Sequence, residues 1–210
     1  MHHVDHLFVF CRLQAPELAL LERHGLRAGV RRQHLGQGTA NACIGFADGY
    51  LELLWLEDEA AARDPHVKPL GLQERARWRE TGASPFGVCV RPEQPGATPP
   101  FVPWDYRPAW LPAELSIAMA CNSGVLGEPL LFQVDRPFQP IPGTHAASAL
   151  RLQRAVLTIP DLAPMSLLRD VRVAGLEFRD GEAHQLELEL TPRSGREIDL
   201  QPSLPVRLRF

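Results

Sequence analysis

Two stretches of this chain share one order of predicted secondary structure: a strand, a helix and then three strands. In the first stretch, residues 4–11 are predicted to form a strand, and Ala15-Pro16-Glu17 begins a helix that ends at Gly25. Three predicted strands follow, at residues 30–33, 39–47 and 50–56. The tight turn Ala47-Asp48-Gly49 joins the last two, since Asp-Gly is typical of a hairpin. Residues 1–56 are therefore expected to form a βαβββ unit.

The same order returns at the C-terminal end of the chain. Residues 152–159 are predicted to form a strand, and Ala163-Pro164 begins a predicted helix that ends at Gly175-Leu176. Three short strands are then predicted, at residues 176–179, 184–190 and 197–201. This internal repeat predicts a second βαβββ-like unit over residues 150–210.

Residues 57–135 are predicted to form a β-rich unit between the other two. A single charged surface helix is expected over Leu70–Glu80. Strands are expected at residues 84–90, 115–120 and 129–134. Prolines are dense over residues 92–112, which predicts an extended connection without a helix. The three units together are expected to make one compact α+β domain.

The composition indicates a soluble globular protein. The chain has 210 residues, of which 45% are hydrophobic, and a net charge of -3 with both signs mixed. It has no cluster of Lys and Arg of the kind that phosphate binding needs, which disfavours nucleic acid as a partner. The first residues do not resemble a secretory signal, and no apolar run approaches the length of a membrane span. We therefore expect a cytoplasmic protein without a membrane partner.

The four cysteines, Cys11, Cys43, Cys89 and Cys121, are spread singly along the chain. Because no C-x-x-C pair is present, neither a zinc knuckle nor a thioredoxin-type motif is indicated. Three of the four lie in apolar strand-like runs, where free cysteine usually behaves as a small buried hydrophobe. Reduced cysteines in a reducing compartment are expected.

Two ionisable residues lie inside apolar predicted strands, where a charged group is costly to bury. His6 belongs to the alternating run Val4, His6, Phe8 and Phe10, so it shares a face with apolar side chains. Glu52 lies in the predicted strand that ends the first unit. A lone histidine in such a strand is more often a hydrogen-bonded core residue. With Glu52 present, however, the two side chains could converge on one divalent ion, since imidazole suits Zn, Fe or Ni and carboxylate suits most divalent metals.

A resemblance to a known family rests on three segments: Asp5-His6-Leu7, His34-Leu-Gly36-Gln-Gly38-Thr39-Ala-Asn41, and Tyr50-Leu51-Glu52-Leu53. Together they resemble the glyoxalase-like domain of the vicinal oxygen chelate superfamily, most densely over residues 4–56. The resemblance implies repeated βαβββ units that pair into a half-open barrel, which commonly holds a divalent metal such as Zn, Fe, Ni or Mn. In these terms His6 matches the metal ligand of the first strand, and Glu52 matches the ligand of the fourth strand and is the candidate catalytic group.

Further residues are candidates for binding a small molecule. His34, Thr39 and Asn41 lie in a glycine-containing segment whose backbone could approach a ligand closely, although a loop with a polar cap would show the same pattern. His145 follows a Pro-Gly turn and matches a histidine of similar glyoxalase-like sequences, but an exposed loop histidine is more often only solvated.

A complete metal shell is not evident in the sequence. Gln133 ends a predicted strand at the point where the resembled family has a carboxylate. Arg154 aligns with His6 in the internal repeat, and arginine cannot ligate a metal because it stays protonated and has no acceptor atom. Both residues are instead candidates for direct contact with a ligand.

Two hypotheses of function follow from these residues. The first is a metal-dependent lyase, isomerase or dioxygenase of glyoxalase type that acts on a small oxygenated molecule, with His6 and Glu52 holding the ion. The second is a non-catalytic small-molecule-binding or resistance-type protein, in which Gln133 and Arg154 contact the ligand without an ion. A dimerisation or scaffold module is a third alternative, and a homodimer is compatible with each. No serine nucleophile elbow is present.

Overall fold

The computed structural model describes residues 1–141 and 149–210. Thirteen strands lie in these residues: β1 His2–Phe10, β2 Val30–His34, β3 Thr39–Gly45, β4 Tyr50–Leu56, β5 Phe86–Pro92, β6 Pro103–Tyr106, β7 Ile117–Ala120, β8 Leu130–Gln133, β9 Arg151–Pro160, β10 Leu176–Gly181, β11 Gln185–Thr191, β12 Glu197–Asp199 and β13 Val206–Arg209. The α-helices among them are short: α1 Leu18–Glu22, α2 Glu59–Ala62, α3 Leu72–Ala76 and α4 Trp78–Thr81. Single 3₁₀ turns occur at Lys68–Leu70, Cys121–Gly124 and Leu167–Arg169.

Eight strands form one sheet in the order β2-β3-β4-β1-β5-β8-β7-β6. The sheet has two halves with matching topology, because β1 is parallel to β4 and β5 is parallel to β8, while the outer strands of each half are antiparallel. The antiparallel pair β1/β5 joins the halves. The middle part of the chain is therefore what pairs with the N-terminal βαβββ unit, and the order of that unit is confirmed.

The remaining strands form a five-stranded sheet in the order β10-β9-β11-β13-β12. Its apolar side chains share one buried core with the first sheet, in which Leu7 and Leu51 pack with Leu157 and Leu188. Helix α1 adds Leu18 and Leu21 to the same core. The fold is mixed α+β, mostly strands in two sheets with few helices, and is consistent with the vicinal oxygen chelate fold that the resemblance implied.

The helix predicted from Ala163-Pro164 is wrong. The segment contains only the 3₁₀ turn Leu167–Arg169, which begins where the Ser166 hydroxyl accepts a hydrogen bond from the Leu168 amide at 3.2 Å. Pro164 has no amide hydrogen, and Ser166 adopts an extended conformation, so the backbone does not enter a regular helix before the turn. Leu168 is nevertheless buried, as the apolar pattern required.

The single helix predicted over Leu70–Glu80 is also wrong. Helices α3 and α4 are separated at Arg77, where φ is -100° and ψ is 31°. Arg75, expected on a charged surface, is fully buried. The proline-dense connection has no helix, as predicted, but it contains edge strand β6, which begins at Pro103 because the first residue of an edge strand needs no amide donor.

The two faces of the eight-stranded sheet differ in what covers them. One face packs against the C-terminal sheet, and the other carries His6 and Glu52; we call the latter the site face. Val67, Leu70 and Leu72 from the helical segment cover one end of the site face. No helix among the described residues is long and apolar enough to cross a membrane.

Candidate functional site

An irregularity in β1 places two neighbouring polar side chains together. Val4 pairs with Val90 and His6 pairs with Cys89, so Asp5 is an extra residue in the β1/β5 ladder. Neighbouring residues of a regular strand point to opposite faces, whereas a bulge re-aims its side chains. The Asp5 carboxylate consequently reaches the His6 ring, with 2.8 Å between Oδ1 and Nδ1.

His6 is buried and held in one orientation. Its ring stacks on Tyr50 with 4.3 Å between centroids and meets the edge of Phe132 at 5.6 Å. Burial favours the neutral form of Asp5, but the hydrogen bond and charge of His6, together with Arg91, outweigh burial and lower the Asp5 pKa. An ionised Asp5 on Nδ1 leaves Nε2 as the nitrogen that His6 can offer to a ligand.

Glu52 is a buried carboxylate whose partners are neutral. Asn41 Nδ2 donates to Glu52 Oε1 at 3.0 Å, and the Cys43 thiol lies 3.8 Å from the same oxygen. No described residue forms an ion pair with Glu52 within 4.0 Å. The other amide atom of Asn41, Oδ1, is buried and has no hydrogen-bond partner among the described residues.

Cys89 adds a third donor atom beside Asp5 and His6. The candidate ligand atoms of these three residues lie within 4.8 Å of one another, and all three residues are buried. Burial, followed by the charges of Asp5 and Glu52, raises the pKa of the Cys89 thiol. Sequence reasoning missed Cys89, because only the register across β1/β5 shows that it lies opposite His6.

The predicted ligand residues His34 and Thr39 belong to a hydrogen-bonded group at the end of β2 and the start of β3. His34 Nδ1 lies 2.8 Å from Thr39 Oγ1, which also accepts from Gln37 Nε2 at 2.9 Å. Burial lowers the pKa of His34. Gln37 Oε1 accepts from the Tyr106 hydroxyl at 3.1 Å and from the Trp110 indole at 3.2 Å. This group therefore connects the first half of the eight-stranded sheet to the second.

The other predicted ligand residues lie elsewhere. Gln133 has the same strand parity as Leu131, which lies in the core between the sheets, and it donates to the carbonyl of Ala97 at 3.0 Å. Arg154 lies in the C-terminal sheet, where it pairs with acidic side chains of that sheet, including Glu189 at 3.3 Å. His145 lies outside the described residues. The structure thus brings His6, His34, Thr39, Asn41 and Glu52 to one region of the site face and leaves Gln133 and Arg154 away from it.

Comparison with known proteins agrees with this part of the chain. Residues 4–100, which include β1 to β5, match the family model described as "Glyoxalase-like domain". The fold is similar to the crystal structure of a hypothetical protein from Staphylococcus aureus, with a TM-score of 0.55 and 10% sequence identity over 100% of this chain and 99% of that chain. No curated protein matches the chain significantly. The match over residues 4–100 confirms the resemblance to the glyoxalase-like domain that the first unit carries.

Proposed function

We propose that this protein binds a small oxygenated molecule at the site face through a divalent transition metal held by His6 and Glu52. One observation carries the proposal. Each of the two residues is buried and oriented by a second buried polar side chain, His6 by Asp5 and Glu52 by Asn41. Metal-ligating histidines and carboxylates commonly have such outer partners, which fix the tautomer and direction of the ligand atom.

The charges around the site favour a bound cation. Asp5 and Glu52 are both buried carboxylates, and the nearest guanidinium, from Arg91, lies 3.5 Å from Asp5. Glu52 has no ion-pair partner among the described residues, and an uncompensated buried carboxylate is costly. A cation at His6 Nε2 and the Glu52 carboxylate would offset that cost. When bound, such an ion acts as a Lewis acid that polarises oxygen atoms of the substrate.

The protein's own residues supply selectivity for an oxygenated ligand. The unpaired Oδ1 of Asn41 can accept a hydrogen bond from a ligand hydroxyl, and the hydrogen-bonded pair of His34 and Thr39 offers a polar contact beside it. The finer activity is then that of a lyase, an isomerase or a dioxygenase. The metal-free alternative depended on Gln133 and Arg154, and both lie away from the site face.

Elemental analysis of the purified, untagged full chain tests the proposal. We expect near-stoichiometric transition metal in the wild type and its loss in His6→Ala and in Glu52→Gln. Glu17→Gln is the matched control, because Glu17 is also a buried glutamate but has an ion-pair partner, Arg12. A folded wild type that contains no metal and takes up no added Zn, Fe, Ni or Mn would refute the proposed metal site. Binding of the small molecule by the protein's own side chains would then be the remaining hypothesis.

A further inference from the structure

We infer that Cys89 is a metal ligand of this site, contributed by the second half of the eight-stranded sheet. The inference rests on the proposed function, since it adds a ligand to the same ion. It narrows the identity of that ion, because a thiolate with an imidazole and a carboxylate suits Zn, Fe, Co or Ni better than it suits Mn or Mg.

The strand register places Cys89 in reach of the ion. Cys89 is the direct partner of His6 across β1/β5, so their side chains leave the sheet side by side on the site face. Typical metal–nitrogen and metal–sulfur bonds of about 2.0 and 2.3 Å put two such ligand atoms roughly 3.5 Å apart in a tetrahedral site. The candidate ligand atoms of His6 and Cys89 here lie within 4.8 Å, so this pair needs a movement of about 1.3 Å or less to reach that separation.

The charges around Cys89 would favour a bound cation once its thiol ionises. The thiol is fully buried, and the Asp5 carboxylate is part of the same cluster. A thiolate beside that carboxylate and near Glu52 would gather negative charge in a buried place, whereas a divalent cation would balance it. Cys89 therefore combines proximity to His6 with a charge environment that a bound metal completes.

Cys43 is the competing thiol on the site face. Its sulfur lies 3.8 Å from Glu52 Oε1, but it is on β3 and packs in a separate apolar cluster with Tyr50 and Ile141. Strand β4 separates it from His6 on β1. A ligand shared with His6 is therefore expected to be Cys89 and not Cys43.

Cobalt substitution of the full chain distinguishes the two thiols. After bound metal is removed with a chelator, Co²⁺ is added and the near-ultraviolet thiolate-to-cobalt charge-transfer band is recorded. We expect the band in wild type, in Cys43→Ser and in Cys11→Ser, whose thiol is buried away from the site. Cys89→Ser is expected to lose the band and to bind Co²⁺ at least about tenfold more weakly, since even outer-partner mutations cost about 10–100-fold in metal affinity.

Each other outcome decides the matter. Cobalt binding to wild type without the band would overturn the inference and leave His6 and Glu52 as ligands. Loss of the band in Cys43→Ser instead would reassign the thiol, and no cobalt binding at all would overturn the proposed metal site as well. If Cys89→Ser does not fold, X-ray absorption of the zinc-loaded wild type decides: a sulfur neighbour at about 2.3 Å supports Cys89, and nitrogen and oxygen neighbours alone refute it.

Discussion

Replacing Arg75 by methionine should destabilise the protein strongly. Arg75 is fully buried, and burial lowers the pKa of its guanidinium to about 10, so it remains charged at neutral pH. Its guanidinium donates hydrogen bonds to backbone carbonyls. Four accept from it within 3.2 Å, those of Leu70 at 3.0 Å, Ser84 at 3.2 Å, Ser123 at 3.1 Å and Glu128 at 2.6 Å.

The size of the effect follows from those carbonyls. Methionine retains an apolar side chain of similar length but donates no hydrogen bond, and each buried acceptor left unpaired costs about 1–3 kcal/mol. Four acceptors at the lower limit give a loss of about 4 kcal/mol, and removal of the buried charge keeps the value near that limit. For a chain of this length, about 4 kcal/mol corresponds to a fall in Tm of roughly 8–16 °C.

Urea unfolding of the purified chain, followed by circular dichroism, measures the free energy of unfolding. Arg77→Met is the matched control, because Arg77 is exposed in the same segment and the one hydrogen bond of its guanidinium within the described residues is to the Gln73 carbonyl, at the long distance of 3.5 Å. Its substitution should cost less than about 0.5 kcal/mol. Equal effects of the two substitutions would refute the view that Arg75 holds the helical segment to the chain before β5 and β8.

Two further predictions concern packing and pH. In Gly87→Ala the new methyl group would lie 2.0 Å from the Phe8 ring, so the free energy of unfolding, measured in urea, should fall by about 1–3 kcal/mol. A methyl group at Gly124 would meet open space, so Gly124→Ala should not lower the free energy of unfolding in this way. Burial lowers the pKa of His184 in the folded protein, and the nearby Arg75 charge adds to this. The unfolded chain then binds more protons below about pH 6.5, and His184 contributes stability that is present above that pH and lost as the pH falls. Unfolding at pH 7.5 and 5.5 should show a larger loss for wild type than for His184→Gln; parallel losses would contradict the assignment.

Strands were largely predictable from the sequence, whereas of the three predicted helices only α1 was found as predicted. Alternation of apolar and polar residues is local, so β1 and β4 lie within two residues of their predicted bounds. Strand β13 was missed because its short alternating run follows Pro205 and cannot be recognised without its partner β11. The two wrong helices have different causes. Ser166 acts locally, through its hydrogen bond with the Leu168 amide, whereas Arg75 is buried by contacts with the distant Ser123 and Glu128 carbonyls.

The sequence predicted only the part of the site that lies within the first βαβββ unit. His6 and Glu52 share a face because strand parity within the first unit is set by local alternation. Gln133 was assigned to the same site, but in β8 it is Phe132 that faces His6. A one-residue difference in register reverses the face of every side chain in a strand, and the register of β8 is set by its pairing with β5. The pairing of β8 with β5 forms in the tertiary structure, so its register cannot be predicted from the sequence of β8 alone.

The bulge in β1 explains why the sequence did not predict the contacts that Asp5 and Cys89 make with His6. Alternation places Asp5 on the opposite face from His6, and the extra residue in the β1/β5 ladder is what brings the carboxylate to the imidazole. The same ladder sets Cys89 opposite His6. One irregularity, at the junction of the two halves, therefore joins a histidine from the first half to its orienting carboxylate and to a thiol from the second. If the bulge serves the site, deleting Asp5 should preserve the fold and leave His6 opposite Cys89 in a regular ladder, but it should weaken metal binding about 10–100-fold, because the carboxylate that orients His6 is lost.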